Sequence, residues 1–271
     1  MPVTDTPRLD AEILLAHSLG MPRARLLAHL REKTEAPGFD ELLERRLAHE
    51  PIAYILGEWE FFSLTLAVRA PILVPRPETE HLVEAVLAFV QDEPARVLEL
   101  GTGTGCVAVA VAHNAPRTQV VATDIQPQAL ALAGENARRH GVSDRIELRH
   151  GDLFEALSRA AASFDVICSN PPYVEESAWP DLPPVIRLHE DPGALLAGPE
   201  GLDVIERLVD EARHFLRPGG LLAFEIGMGH YGRVSALLAR KGYDDIGFRR
   251  DLAGIERVVL ARAPAGNESG G

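Results

Sequence analysis

A chain of 271 residues with 46% apolar content is long enough for more than one small domain and can bury a sizeable core. Its 40 acidic and 27 basic side chains leave a formal net charge of −13 with neutral histidines, which argues against broad binding to nucleic acid phosphates. No apolar stretch approaches the ~20 residues that span a bilayer, and the start of the chain lacks the pattern of a secretory signal, so we expect a cytoplasmic protein.

The first part of the chain has the apolar spacing of short helices. Three such segments are separated by turns rich in glycine and proline, and they predict a small helical bundle within residues 1–57. The segments are residues 9–19, 23–30 and 39–49, and the turns are Gly20-Met21-Pro22 and Ala36-Pro37-Gly38.

A different pattern follows this bundle. Residues 58–68 alternate between polar and apolar and are rich in aromatic side chains, which predicts a β-hairpin around Ser63. Prolines at positions 71, 75 and 77 stiffen the connection onward. We therefore interpret residues 58–77 as a hairpin and linker.

The larger domain is expected at residues 78–263. A helical stretch at 80–90 is followed by strands and helices in alternation, which is the pattern of an α/β fold with a doubly wound, mostly parallel sheet of seven strands. The last strands, near residues 245–248 and 257–261, are expected to form an antiparallel edge. The Gly/Ser-rich residues 264–271 predict a disordered tail.

A glycine-rich turn ends the first strand of this sheet. The apolar run at 97–100 leads into Gly101-Thr102-Gly103-Thr104-Gly105 and then into a helical stretch at 106–113. Glycines let the backbone approach a ligand, and the helix N-terminus presents free N–H groups to it. The spacing meets the nicotinamide dinucleotide fingerprint imperfectly, so the turn alone indicates a ligand only weakly.

An acidic residue ends the second strand. Asp124 follows the apolar run at 119–122 and lies 19 positions after Gly105. This is close to the ~20-residue offset at which a carboxylate binds a nucleoside ribose. Asp124 can instead cap a helix expected at 128–140, but strand, glycines and carboxylate in this order favour ribose binding.

A second acidic residue follows the third strand. Asp152 comes after the alternating residues 145–149 and can accept a hydrogen bond from an adenine amino group, with Leu153 or Phe154 covering the ring. Capping of a helix at 153–159 is an equally weighted alternative, and the two roles are compatible.

The stretch Asn170-Pro171-Pro172-Tyr173 follows an apolar run that predicts a buried strand at 164–168. The prolines hold the backbone rigidly and have no N–H group. Asn170 Oδ1 and the Pro171 carbonyl can therefore both accept hydrogens from one planar NH₂ group, against which Tyr173 can lie. An Asn-Pro turn can also simply end a strand, but the preceding glycine turn and carboxylates favour a substrate grip.

Neither cysteines nor histidines predict a metal site. Cys106 and Cys168 fall in regions expected to be buried, and we interpret Cys106 as a small packed residue instead of a reactive thiolate. The ten histidines show no paired spacing with cysteines or carboxylates, so we predict no metal.

Together these residues resemble the class I S-adenosylmethionine-dependent methyltransferases, and within them the release factor glutamine methyltransferases known as PrmC or HemK. The resemblance covers nearly the whole chain. Besides the glycine turn and the Asn-Pro-Pro-Tyr box, its motifs are RLDAEILLA at 8–16, PIAYILGEWEF at 51–61, LVPRPETE at 73–80 and EDPGAL at 190–195. The box alone occurs in other amine and amide methyltransferases, whereas residues 51–80 narrow the field to this family.

The resemblance implies methylation of the glutamine side-chain nitrogen in the Gly-Gly-Gln loop of release factors. The implied cofactor is S-adenosylmethionine, with S-adenosylhomocysteine as product. The implied cofactor-binding residues are Glu99, Gly101, Thr102, Gly103, Thr104, Gly105, Asp124, Ile125, Asp152, Leu153 and Asn170. The implied catalytic and substrate-binding residues are Asn170, Pro171, Pro172 and Tyr173, with Arg76 near the substrate entrance unless it is only a charge on a stiff connector.

Two positions depart from the family pattern. Glu99 stands where many relatives carry Asp, which lengthens the reach of the carboxylate toward the methionyl end of the cofactor. Leu153 replaces an aromatic residue that some members place beside the adenine. Neither change removes a group that the chemistry needs.

Three other functions use similar motifs. A ribosomal-protein glutamine methyltransferase differs mainly in its N-terminal domain. A nucleic-acid base methyltransferase needs a basic channel, which the net charge of −13 does not indicate. A non-catalytic adenosyl-ligand module has no need of the acceptor pair at Asn170. We therefore expect a monomeric enzyme acting on a release factor, with no direct contact to nucleic acid.

Overall fold

The structure, a computed structural model, describes residues 4, 6–28, 35–91, 93–158 and 163–265. Most of the expected tail at 264–271 lies outside the described residues, as do the last two positions of the helix expected at 23–30. None of the described helices is long and apolar enough to cross a membrane.

The N-terminal helices are α1 (Pro7–Ser18), α2 (Arg23–Ala28), α3 (Phe39–Leu47) and α4 (Ile52–Leu56). Pro7 begins α1 because a proline in the first turn lacks only an N–H group that no helical carbonyl would accept. Arg46 of α3 donates from Nε to Asp10 Oδ2 of α1 at 2.8 Å, and both side chains are nearly buried. This ion pair links α3 to α1. The short helix α4 was not predicted from the apolar spacing.

The predicted hairpin around Ser63 is confirmed by β1 (Glu58–Phe61) and β2 (Leu64–Ala67), which pair antiparallel. Phe62 and Ser63 form the two-residue turn, with φ of 50° and 60°. Positive φ at both turn positions matches the twist of the flanking strands, so the turn keeps Phe61 paired with Leu64.

Seven strands of the described residues form the main sheet in the order β5-β4-β3-β6-β7-β9-β8, which confirms the predicted α/β fold. Strands β3 to β7 are parallel, and β9 pairs antiparallel with both β7 and β8. Their bounds are β3 (Ala95–Leu100), β4 (Thr118–Asp124), β5 (Ile146–His150), β6 (Phe164–Ser169), β7 (Leu216–Glu225), β8 (Asp244–Arg250) and β9 (Glu256–Arg262).

Helices cover both faces of this sheet. They are α5 (Glu80–Val90), α6 (Cys106–Asn114), α7 (Pro127–Arg139), α9 (Asp203–Ala212) and α10 (Tyr231–Arg240), whereas the short α8 (Pro184–Arg187) lies in the connection between β6 and α9. In β3, Val97 packs in the apolar cluster with α5 and α6, and the next residue, Leu98, packs in the cluster with α9 and α10. The central strands are therefore apolar on both faces, which explains their uninterrupted hydrophobic runs.

The prediction of a helix at 153–159 is wrong for residues 153–158, which the structure describes. Residues 153–158 form turns instead, and Leu153 has a φ of 48°. A Cβ on Gly151 would lie 2.8 Å from the Ala156 backbone nitrogen, so the chain folds back tightly at this point. The turn directs Phe154 into the core, where its ring stacks on Phe215 with centroids 4.8 Å apart.

Residues 174–200 connect β6 to α9 and lie over the carboxyl edge of the sheet. They contain α8 and two short 3₁₀ turns, Glu176–Asp181 and Pro192–Ala194. The Asp191 backbone N–H donates to the Pro71 carbonyl at 2.9 Å, which attaches this segment to the linker after the hairpin.

Candidate active site

A cavity of about 390 Å³ lies at the carboxyl edge of the sheet, a size typical of small-molecule sites. Strands β4 and β5 lie on one side of β3, and β6 lies on the other. The order of the strands therefore changes direction between β3 and β6, and folds of this kind bind ligands in the crevice at that point. The predicted residues on the cavity wall are Arg76, Glu99, Gly101, Thr102, Gly103, Thr104, Asp124, Ile125, Asp152, Leu153, Asn170 and Pro172. Gly105, Pro171 and Tyr173 lie beside these residues and are not on the wall.

The glycine turn has a backbone that other residues adopt with difficulty. Gly101, Gly103 and Gly105 have φ of 70°, 53° and 79°, in the left-handed region. A Cβ on Gly105 would lie 2.8 Å from the Cβ of Ala133 in α7, so Gly105 allows close packing of α6 and α7. The structure thus assigns Gly105 a packing contact, whereas Gly101 and Gly103 face the cavity.

Glu99 lies beneath the glycine turn and is almost fully buried. Its Oε2 accepts hydrogen bonds from Thr102 Oγ1 at 2.7 Å and from the Ala108 backbone N–H in α6 at 3.1 Å. Burial raises the pKa of this carboxyl to about 8, because removing the carboxylate from water outweighs the two donors that stabilise it. Glu99 therefore connects the strand, the turn and the following helix while lining the cavity.

Asp124 ends β4 and fixes the neighbouring backbone. Its Oδ2 accepts from the Gly103 N–H at 2.8 Å and its Oδ1 from the Gln126 N–H at 2.9 Å. Capping of the following helix by Asp124, considered from the sequence, is wrong, because α7 begins at Pro127 with Gln126 as its N-cap and has no side-chain cap hydrogen bond. The Asp124 carboxylate instead orders the loop between β4 and α7. Burial raises the pKa of Asp124, and the carboxylate remains on the cavity wall, where it can also accept from a ligand.

The third strand brings Leu153, and not Phe154, to the cavity wall. The interpretation in which Phe154 covers an adenine ring is wrong, because its side chain is buried against Phe215. Asp152 is also on the wall and accepts a hydrogen bond from Arg207 Nη2 at 2.7 Å.

Asn170 follows β6 and has a defined orientation. Its Nδ2 donates to Thr79 Oγ1 at 3.1 Å, and Thr79 belongs to the 3₁₀ turn Pro77–Thr79 that precedes α5. The hydroxyl of Thr79 also acts as a donor toward the buried carboxyl of Glu225 at the end of β7, and this donation opposes the rise in the pKa of Glu225 that burial causes. Because Nδ2 is engaged by the protein, Oδ1 is the part of the carboxamide that remains available to a substrate.

Tyr173 packs in the apolar cluster on the α9 and α10 face, beside Gly227. Burial raises the pKa of its phenol to about 12, so the hydroxyl stays neutral. Its backbone N–H donates to the Leu195 carbonyl at 3.1 Å, which joins the box to the 174–200 segment. Contact of the ring with a bound substrate stays a prediction.

Arg76 lines the cavity and forms an ion pair with Glu190. Its Nη2 donates to Glu190 Oε2 at 2.5 Å, and Glu190 is almost fully buried. Burial raises the pKa of Glu190 although Arg76 acts in the opposite direction. Arg76 therefore fastens the linker to the 174–200 segment, which is a more specific role than that of a solvated charge.

Comparison with known proteins decides the family. A family model described as the PrmC N-terminal domain matches residues 3–57, and one described as the methyltransferase small domain matches residues 79–182. The release factor glutamine methyltransferase of Rhodopirellula baltica is 42% identical over 266 residues, covering 94% of this chain and 89% of the relative. The chain belongs to the release factor glutamine methyltransferase family. The enzyme of the same name from Nitratidesulfovibrio vulgaris is 39% identical, covering 95% of this chain and 89% of the relative.

Solved structures show the same fold at low sequence identity. The hMettl16 catalytic domain in complex with MAT2A 3'UTR hairpin 1 superposes with a TM-score of 0.62 at 16% identity, over 88% of this chain and 94% of the other. A ribosomal protein L11 methylase from Lactobacillus delbrueckii subsp. bulgaricus superposes with a TM-score of 0.51 at 19% identity, over 72% and 82%. The methyltransferase fold is thus shared by enzymes with different acceptors.

Several residues of this methyltransferase's cavity did not emerge from the sequence. Thr79 lies within the LVPRPETE motif, but the sequence predicts no role for it and none for Glu225. The one available signal for Glu225 is that it is a lone carboxylate at the end of an apolar strand, as Asp124 is. Gln126 and Asp191 also line the cavity and hydrogen-bond to each other, which no pattern in the chain indicates. Among the described residues, no group of three or more histidine, cysteine or carboxylate side chains is arranged to hold a metal.

Proposed function

We propose that this enzyme transfers a methyl group from S-adenosylmethionine to the side-chain nitrogen of the glutamine in the Gly-Gly-Gln loop of peptide chain release factors. The observation that carries the proposal is the orientation of Asn170, whose Nδ2 is held by Thr79 at 3.1 Å. Its Oδ1 is thereby left to accept from an amide NH₂ at the cavity. Membership of the family supports a release factor as the acceptor.

The cavity residues fit an adenosyl cofactor. The left-handed glycines allow close approach to the methionyl part, and the Asp124 carboxylate at the end of β4 is placed to accept from the ribose hydroxyls. Leu153 offers an apolar surface for the adenine, and Asp152 an acceptor for its amino group. When bound, S-adenosylmethionine supplies an electrophilic methyl group on a sulfonium.

The side-chain nitrogen of glutamine is a poor nucleophile, and residues of this chain compensate by holding it in position. A carboxamide nitrogen shares its lone pair with the carbonyl, so it must be held close to the methyl carbon in a favourable direction. Asn170 Oδ1 and the Pro171 carbonyl accept the two N–H bonds and aim the nitrogen. These hydrogen bonds strengthen as positive charge develops on nitrogen, so they stabilise the transition state more than the ground state.

Proton release follows methyl transfer in this proposal. The acceptor nitrogen becomes far more acidic once it carries the additional methyl group, so a dedicated general base is not required before the transfer. Tyr173 does not serve as that base, because burial raises the pKa of its phenol to about 12.

The two parts of the chain divide the task. We propose that residues 1–57 contact the body of the release factor while residues 78–263 bind the cofactor and the glutamine. The match of residues 3–57 to the PrmC N-terminal domain supports this division. The net charge of −13 supports recognition of a protein surface over nucleic acid phosphates. We also propose that the reaction takes place in the cytoplasm, because its acceptor is a translation factor.

The test is methyl transfer from labelled S-adenosylmethionine to separate acceptors, followed by mass mapping of the label. The acceptors are a release factor, its Gln→Ala variant in the Gly-Gly-Gln loop, a ribosomal protein preparation and bare RNA. We expect label on the glutamine of the unaltered factor alone. Label on the Gln→Ala variant, on RNA or on a ribosomal protein at a comparable rate would overturn the assignment.

A further inference from the structure

We propose that Thr79 and Glu225 are positioning residues, which fix the Asn170 carboxamide with its oxygen toward the acceptor nitrogen. The proposal rests on the proposed function, because it assumes that Asn170 grips an NH₂ group. The three side chains come from the turn before α5, from the end of β7 and from the loop after β6. Asn170 Nδ2 donates to Thr79 Oγ1 at 3.1 Å, and the Thr79 hydroxyl acts as a donor toward the Glu225 carboxyl. The family resemblance implies no role for either Thr79 or Glu225.

The direction of these hydrogen bonds follows from which of the three side chains carries a hydrogen to donate. An ionised carboxylate can only accept, so the single hydroxyl hydrogen of Thr79 is given to Glu225. Thr79 Oγ1 can then act toward Asn170 only as an acceptor. Asn170 must present Nδ2 to Thr79, at the observed 3.1 Å, and Oδ1 on the opposite side.

This direction matters because a carboxamide has two orientations of nearly the same shape. With the oxygen outward, Asn170 accepts from the substrate NH₂ group. With the nitrogen outward, the NH₂ group of Asn170 faces the NH₂ group of the substrate, and two donors repel each other. The prolines after Asn170 fix the backbone but do not select between these orientations, so the selection needs a partner on the far side of the amide.

Stability alone does not explain Glu225. The residue is 1% exposed, and among the described residues its Oε2 has no hydrogen-bond partner. A buried carboxyl with one unsatisfied oxygen costs free energy that an apolar side chain would avoid. A carboxylate at this position is explained if it must accept the hydroxyl hydrogen of Thr79, because a carboxylate can accept but not donate.

Charged and titratable groups from several neighbouring segments interact electrostatically with Glu225. They are Arg257 on β9, Arg76 and Glu78 beside Thr79, Tyr173 after β6 and Cys106 at the start of α6. Burial is the largest influence and raises the pKa of Glu225 to about 7. Below this pH the protonated carboxyl can donate to Thr79, which frees the Thr79 hydroxyl to donate to Asn170 Oδ1 and turns the amide. We therefore expect kcat to rise with pH through about 7.

The first experiment compares isosteric variants in methylation of a release factor. Thr79→Val removes the hydroxyl, and we expect kcat to fall about 10- to 100-fold because the amide is no longer aligned. Thr79→Ser should restore most of the activity. Thr118→Val is the matched control, since Thr118 is also fully buried, lies at the opposite end of β4 and has no hydroxyl partner among the described residues. A wild-type kcat in Thr79→Val at pH 8 would overturn the proposal.

The second experiment uses Glu225→Gln, whose carboxamide does not titrate. The rise of kcat through pH 7 should be present in the wild type and absent in this variant, with both proteins folded by circular dichroism. A purely structural role for Glu225 would lower stability without removing the pH dependence. An unchanged pH profile in Glu225→Gln would contradict the proposal.

A third readout does not depend on the acceptor. The side-chain amide resonances of Asn170 in ¹⁵N-labelled protein, assigned with Asn170→Ala, should shift between pH 6 and pH 8 in the wild type and remain constant in Glu225→Gln. If the wild type fails to methylate a release factor, the proposed function falls, whereas these resonances still decide the positioning role. Resonances that do not respond to pH in the wild type would refute it.

Discussion

At the scale of single residues, the site uses polar side chains at the ends of adjacent parallel strands. Glu99 on β3, Asp124 on β4 and Asn170 after β6 each make hydrogen bonds within the protein and also line the cavity. Because parallel strands end at the same edge of a sheet, these groups converge although they are far apart in sequence. Substitution of such a residue affects both the local backbone and the ligand, so the two effects must be measured separately.

Replacement of Asn170 by alanine should affect catalysis more than cofactor binding. We expect kcat to fall by about 10²–10³-fold, because an acceptor that strengthens in the transition state is lost. The dissociation constant of S-adenosylhomocysteine, measured by calorimetry, should remain within about 2-fold, well under the 1.4 kcal/mol that a tenfold change represents. Asn114→Ala, at the far end of α6, is the control. A collapse of cofactor affinity in Asn170→Ala would contradict the assigned role.

Replacement of Asp124 by alanine should weaken cofactor binding. Loss of charged hydrogen bonds is expected to cost ~1–3 kcal/mol of binding free energy. Asp124→Asn separates the two roles of the carboxylate, since an amide oxygen can still accept from the Gly103 N–H. The exposed Asp144→Ala serves as control. An unchanged dissociation constant for S-adenosylhomocysteine in Asp124→Ala would refute ribose binding.

At the scale of elements, helix α7 holds the hairpin and the glycine turn in place. Asn136 on α7 is fully buried and accepts at Oδ1 from the Ala67 N–H at 2.7 Å. Its Nδ2 donates to the carbonyls of Ala67 and Thr104, at 3.0 and 2.9 Å. One side chain thus joins β2, the glycine turn and α7, so the small hairpin also supports the position of the cavity.

Substitution of Asn136 by leucine should destabilise the whole domain. It leaves three buried backbone groups without a partner, and we expect the free energy of unfolding to fall by about 2–4 kcal/mol. Gln128→Ala, at an exposed position of the same helix, should change it by less than about 0.5 kcal/mol. The measurement is urea denaturation followed by circular dichroism. Equal midpoints for Asn136→Leu and the wild type would show that the three hydrogen bonds of Asn136 do not stabilise the domain.

At the scale of the whole molecule, buried carboxyls at the site reduce stability in exchange for function. Burial raises the pKa of Glu99 to about 8 and that of Glu225 to about 7, above the usual value for glutamate. Folded protein therefore binds these protons more tightly than unfolded protein does. Their contribution to stability is full at low pH and is lost as the pH rises through the folded pKa values.

The thermal midpoint of the ligand-free protein should therefore fall between pH 6.5 and pH 8. We expect a decrease of roughly 3–6 °C, since a change of 1 kcal/mol shifts the midpoint of a chain of this size by a few degrees. Glu99→Gln should reduce the slope, because an amide does not titrate. Differential scanning calorimetry checks both. A midpoint that rises over this pH range would mean that the carboxyls are not held protonated by burial.

Much of this architecture was determined by the sequence itself. Apolar runs with a period of two or 3.6 specify local structure, so the hairpin around Ser63, the alternating strands and the strand ends at Asp124 and Asn170 followed from short segments. The turn residues are equally local, because positive φ requires glycine at Gly101 and Gly103. The order of these motifs also indicated the family, which the comparisons confirmed.

Only the tertiary structure decided which side chains meet. Phe154 and Leu153 are neighbours in the chain, yet a tight turn at Gly151 sends one into the core and leaves the other on the cavity wall. Thr79 meets Asn170 across 91 positions, and Glu225 joins them from a third segment. Such contacts depend on how α5 packs against the sheet, because hydrogen bonds between distant segments leave no periodic signal in the amino-acid sequence.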